Sequence, residues 1–215
     1  MAKVAGVKFP YSLKINDFLY DGKFHVNDFV VVESPQGLEI GRVVYLEKDT
    51  EEDSQGKVLR KATEKDLRKK EELDEAAKDL FKIFSEKIKK HDLKMNPVGV
   101  NFSLDESAAV FYFTSDGRVD FRELVKDMSR HIKKQAIMRQ IGPRDQAKII
   151  GGYGRCGLPI CCASFTINNE GITIEDVEGA YGMPKNAAKV SGICGRLMCC
   201  IKFEEIKKGK KGKKK

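Results

Sequence analysis

Tryptophan is absent from this chain of 215 residues, histidine occurs three times, proline six times, and no cysteine precedes position 156. No apolar run approaches the ~18 residues of a membrane span, so a transmembrane helix is not expected. The first ten residues, Met1 to Pro10, lack the apolar core of a signal peptide. A cytoplasmic setting follows as the expectation, where thiols stay reduced and structural disulfides are rare. His25, His91 and His131 all come before the first cysteine. A cysteine nucleophile beside a histidine base therefore finds no partner in the later chain, and a mixed Cys/His zinc set is short of imidazoles. The three histidines are read as surface or packing residues. There is also no C-x-x-C redox motif.

Positive charge looks abundant, at a net +8, but it is unevenly placed. Lys207, Lys208, Lys210, Lys211, Lys213, Lys214 and Lys215 supply seven charges in the last nine residues, and without them the remainder is about +1. A Lys/Gly tail cannot bury enough apolar surface to order itself. It either keeps the chain soluble or holds nucleic-acid phosphates nonspecifically by counterion release. The basic balance alone does not make a nucleic-acid-binding protein.

The pattern of the rest predicts an α+β protein. Val4 to Phe9, Asp28 to Glu33 and Leu38 to Leu46 are β-branched runs, the last two flanking Ser34-Pro35-Gln36-Gly37, a tight-turn signal. Residues 1–60 are thus expected to form a small β-barrel-like domain, with 47–61 as a charged linker or loop. Thr63 with Asp66 makes a capping-box signature, and Leu73, Ala77, Leu80, Phe84 and Ile88 recur at helical steps, so 61–93 reads as a long amphipathic helix. Over 94–150 the order is β-β-α-β: Val98–Phe102, Ala109–Thr114, a helix capped by Asp120 with Phe121, Leu124, Val125, Met128 and Ile132 inward, then Ala136–Ile141. That predicts a helix on an antiparallel sheet, followed by a short helix over Arg144–Ile150. In 151–206, Thr173 is expected to cap a helix through Tyr181. Gly182-Met183-Pro184 should break the chain, Asn186–Val190 should be extended, and a helix should begin at Gly195 with Cys194 at its start. Residues 207–215 are read as a disordered tail.

The functional signal is a duplication. Cys156-Gly-Leu-Pro-Ile-Cys161-Cys162 and Cys194-Gly-Arg-Leu-Met-Cys199-Cys200 lie 38 residues apart, both read C-G-x-x-x-C-C, and together they use all six cysteines. Thiolates suit zinc and iron–sulfur iron, and a four-residue gap falls within the spacings of both. Burial as small apolar side chains explains single cysteines, not a repeated pattern. Adjacent side chains on a helix point about 100° apart, so Cys161 and Cys162 do not easily serve one metal. One four-thiolate centre leaves two cysteines over, and two such centres need eight. Missing ligands would have to come from another protein or an exogenous group, which makes this region an assembly interface. Gly152-Tyr-Gly154-Arg-Cys-Gly157 formally matches G-x-G-x-x-G, but Pro159 interrupts any following helix, which argues against a dinucleotide site. A thiol oxidoreductase ranks below metal binding, since a disulfide between vicinal cysteines strains its peptide.

Phe113–Asp127, Arg139–Asp145, Gly151–Gly157 and Ser191–Cys200 resemble the YaaT family of stage 0 sporulation proteins, also called RicT, over nearly the whole chain. The resemblance implies a non-enzymatic subunit of a regulatory complex with two small helical partners, RicA-like and RicF-like. It implies [4Fe-4S] clusters with ligands shared among subunits, and assistance to RNase Y in processing messenger RNA that bears on sporulation, competence and biofilm formation. The family cysteines fall on Cys156, Cys161, Cys162, Cys194, Cys199 and Cys200. Pro159-Ile160 and Thr166–Gly171 depart from the family pattern. The alternative reading is a zinc-stabilised nucleic-acid-binding module aided by the lysine tail.

Overall fold

The structure is a computed structural model that describes residues 3–10, 14–48, 54–164, 172–181 and 187–202. The chain divides into two compact units, Met1–Ile141 and Gly142–Lys215.

The first unit begins with five strands, β1 (Lys3–Lys8), β2 (Asn16–Leu19), β3 (Phe29–Ser34), β4 (Gly37–Lys48) and β5 (Lys57–Lys61). They close as a barrel in the order β1-β2-β5-β3-β4. Val30 and Val32 point inside with Ala5, Val7, Phe9, Phe18, Val43 and Val58. Val31, on the opposite face, packs with Ile40 and Leu104 beyond the barrel wall. The uninterrupted valine run is thus a strand buried on both faces. The β3–β4 hairpin forms at the expected turn, where the Ser34 hydroxyl donates to the Gly37 carbonyl at 3.1 Å and to Glu39 at 2.8 Å. Residues 57–61 correct the linker expectation, because they pair antiparallel with β3.

The predicted capping box starts α1 (Glu64–Lys90): the Asp66 N–H donates to the Thr63 hydroxyl and the Thr63 N–H to the Asp66 carboxylate. Its buried residues are Leu73, Ala77, Leu80, Phe84 and Ile88, the stripe read from spacing. They cover a sheet of β6 (Asn96–Phe102), β7 (Ala108–Thr114) and β8 (Gln135–Gln140) in that order, with Phe84 and Phe111 ring centroids 5.0 Å apart. β6 and β7 are antiparallel. β8 instead runs parallel to β7, since the intervening α2 (Arg122–Ile132) carries the chain back before it re-enters the sheet. Leu124 and Met128 of α2 are buried, with Phe121 and Ile132 packed beside them. The helix is capped by Phe121, not Asp120; the Asp120 carboxylate accepts from the Arg122 N–H and guanidinium. Among the described residues, no helix is long and apolar enough to cross a membrane.

One ion-pair group ties α1 to α2. Asp127 accepts from Lys87 at 2.7 Å and lies 3.2 Å from the His91 ring. The hydrogen bonds from Lys87 and His91 hold its carboxyl at about 2, below the ordinary 3.8. A lowered folded-state value means the pairing stabilises the fold above the unfolded pKa and fades as pH falls from about 4 to about 2. Urea midpoints measured across that window should fall less steeply in Asp127→Asn than in the wild type; equal slopes would refute this.

The second unit contains α3 (Pro143–Ile150), α4 (Cys161–Ser164), α5 (Ile174–Tyr181) and a 3-10 turn at Ala187–Val190. α5 is capped as expected, by Thr173 with Asp176. Ala187–Val190 winds as a 3-10 turn where extended chain was expected. The expected break at Gly182-Met183-Pro184, the Thr166–Gly171 stretch and the lysine tail lie outside the described residues.

Candidate metal centre

Both cysteine motifs fold into the same knuckle, bond for bond. In the first, the Gly154 N–H donates to the Leu158 carbonyl at 2.7 Å and the Gly157 N–H to the Gly154 carbonyl at 3.0 Å. In the second, Gly192 donates to Arg196 at 2.8 Å and Gly195 to Gly192 at 3.0 Å. Ile160 to Gly152 and Ala163 to Ile160 are matched by Met198 to Val190 and Ile201 to Met198. Isolated bridges close each copy, Tyr153 with Pro159 and Ser191 with Leu197. Every pair of positions differs by 38, so the sequence repeat is a structural repeat.

The glycine after each first cysteine makes the turn. Gly157 and Gly195 adopt φ of +77° and +73°, a left-handed conformation that a side chain disfavours. This moves the start of the expected helix from Gly195 to Cys200: Cys194 sits in a turn, a strand-like bridge comes at Leu197, and residues 200–202 are helical. The G-x-G-x-x-G match likewise folds as a knuckle preceded by α3, not as a strand leading into a helix.

None of the six cysteines is in a disulfide, and they are graded in exposure: Cys156 exposed, Cys161, Cys194 and Cys200 half-buried, Cys162 and Cys199 buried. Cys161 and Cys162 open α4 and differ in exposure, as adjacent helical positions should. Cys162 and Cys199, one from each knuckle, pack with Ile160 and against Ala147 of α3. Burial pushes the Cys162 thiol upward, the nearby Cys199 and Cys194 push it the same way, and Lys148 opposes them. Cys162 and Cys199 are therefore neighbours. They do not form a finished ligand set: among the described residues, no three or more His, Cys, Asp or Glu are drawn together closely enough to hold a metal ion.

The knuckles are joined by two arginines. Arg155 of the first donates to the Ala188 carbonyl, just ahead of the second. Arg144 of α3 donates to the Leu197 carbonyl at 3.1 Å, and its buried Nε has no hydrogen-bond partner. Cysteine spacing does not single out Arg144; its only sequence signal is a cation on the short helix that precedes the first motif. The donor set fits soft-metal chemistry in kind, with six thiols, open glycine turns and an orphaned cationic N–H on the helix whose Ala147 packs against Cys162 and Cys199. His25, His91 and His131 all lie in the first unit.

A family model described as the PSP1 C-terminal conserved region matches residues 56–141, ending where the first compact unit ends. A second, the third domain of PSP1-like proteins, matches residues 181–207 and so includes the second knuckle. Among curated proteins, the stage 0 sporulation protein YaaT of Bacillus subtilis (strain 168) is 42% identical over 210 residues, covering 95% of this chain and 76% of that protein. No solved structure matches the chain.

Proposed function

Because this chain belongs to the family of the stage 0 sporulation protein YaaT, we propose that it is a non-enzymatic adaptor whose paired knuckles bind [4Fe-4S] clusters together with partner proteins. The observation that carries this reading is the structural duplication. Two knuckles with the same hydrogen bonds carry three thiols each, and no described set of three or more ligands is complete within the chain. Cys156, Cys161, Cys162, Cys194, Cys199 and Cys200 are the residues that would hold the iron. The cluster supplies a redox-sensitive bond between subunits, one that oxidation opens.

The chain's own residues do the rest. The glycine turns set the direction of the tip thiols, Cys162 and Cys199 sit in apolar packing away from water, and Arg144 and Arg155 fix the knuckles to each other. The partners are two small helical proteins, and the assembly serves RNase Y in maturing messenger RNA in the cytoplasm, consistent with the sporulation role in the relative's name.

The test is purification under nitrogen, alone and with the two small partners co-expressed. A brown protein with iron and acid-labile sulfide is expected, with more iron per chain when the partners are present. A colourless protein carrying stoichiometric zinc would overturn the reading in favour of a zinc-stabilised module. Salt-sensitive RNA binding lost on removal of residues 207–215 would then identify its ligand.

A further inference from the structure

Arg144 stands where the two knuckles meet. Its Nη2 donates to Leu197, the bridge residue of the second copy, while the helix that carries it leads directly into the first. Ala147, three residues on and so on the same helical face, packs against Ile160, Cys162 and Cys199. The face of α3 that bears Arg144 is thus the face turned toward buried thiols.

The Nε of this guanidinium is buried and unpaired, and it is the only side-chain nitrogen or oxygen among the described residues in that condition. Buried polar groups are almost always hydrogen-bonded, and a permanently charged one is the most costly to leave without a partner. The chemistry of the neighbourhood names the acceptor. A guanidinium N–H seeks an anion, and the anions of a cysteine-bound cluster are its sulfurs. We propose that the Arg144 Nε–H donates to a sulfur of the centre held on these knuckles, which makes Arg144 a positioning residue that retains the centre and sets its reduction potential. This rests on the cluster-binding reading above.

An N–H···S bond from a cation favours the more negative, reduced state of the centre and so raises its potential. A residue that only clamps α3 to the second knuckle would change thermal stability and leave the potential alone. Arg144→Lys separates the two roles, since lysine keeps the charge and a donor for Leu197 but has no Nε–H. Arg144→Met removes everything.

The full chain, purified under nitrogen, is reconstituted with ferrous iron, sulfide and an excess of a small thiol to fill open iron positions. Both variants should lose iron to a chelator roughly 10–100-fold faster than wild type, the usual effect of removing a group that hydrogen-bonds a ligand. The midpoint potential should move negative in Arg144→Met and by a smaller step in Arg144→Lys. If Arg144→Met does not fold, Arg144→Lys decides by itself. Wild-type rates and potential in Arg144→Lys would overturn the inference alone, whereas a wild type that takes up no iron would overturn the cluster reading and this inference with it.

Discussion

Serine at both knuckle tips, Cys156→Ser with Cys194→Ser, should strip the chain of iron and leave the fold intact. Cys156 is exposed and Cys194 half-buried, and each sits in a turn held by backbone hydrogen bonds that the substitution does not touch. Exchange of an exposed thiol for a hydroxyl stays within about 0.5 kcal/mol of wild-type stability. Serine is a far poorer ligand for iron than thiolate, so retention of iron should fall by at least about tenfold. The buried pair offers the contrast. Cys162→Ser with Cys199→Ser places two hydroxyls in the apolar packing around Ile160, and there both iron and thermal stability should drop. Circular dichroism of the metal-free chains and iron content after anaerobic reconstitution read the two effects separately. A tip variant that keeps its iron would remove the tips from the ligand set.

Where a local pattern was also the tertiary pattern, the sequence was legible. The α1 stripe and its capping box were readable because a long helix against a sheet must repeat its apolar residues near 3.6. β5 was not, because only Val58 of its five residues is buried and the others read as charged loop. β2 has the same defect, with Phe18 its one buried residue. β8 was expected as a strand but antiparallel, because alternation reports a strand's faces and not its direction.

The knuckles carry a sharper lesson. Arg196-Leu-Met opens on good helix formers, and read alone the segment predicts a helix from its start, whereas only residues 200–202 are helical. The first copy held the correction, since Pro159 occupies the position of Leu197 and a proline there excludes a helix interior. Two copies with one fold must satisfy both sequences, so the proline of one constrains the other. The ligand count was visible in the cysteines, whereas Arg144 is marked only by the fold, which sets its guanidinium on the Leu197 carbonyl of the second copy while its helix leads into the first.

Gly56→Ala should be the most damaging small substitution in the first unit. Gly56 lies where the barrel closes: its carbonyl accepts from the Leu19 N–H at 3.0 Å, and Leu19 with Lys57 is the single registered pair between β2 and β5. A Cβ at Gly56 would run into the Glu33 carbonyl oxygen, which is backbone and cannot rotate away. Either β3 or β5 must move, and β3 carries Val30 and Val32 into the barrel core and Val31 into the packing with Ile40 and Leu104. Overpacking against fixed backbone costs about 3 kcal/mol or more. Gly22→Ala is the matched control, since its φ of +134° is also unfavourable to a side chain but nothing but the Phe24 ring comes near, at 3.5 Å. Conformation alone costs about 1–2 kcal/mol there. Urea unfolding should therefore rank wild type, Gly22→Ala and Gly56→Ala in falling order. Equal midpoints for the two alanine variants would mean that the glycine serves its backbone angle only, and that the close approach of β3 and β5 yields without cost.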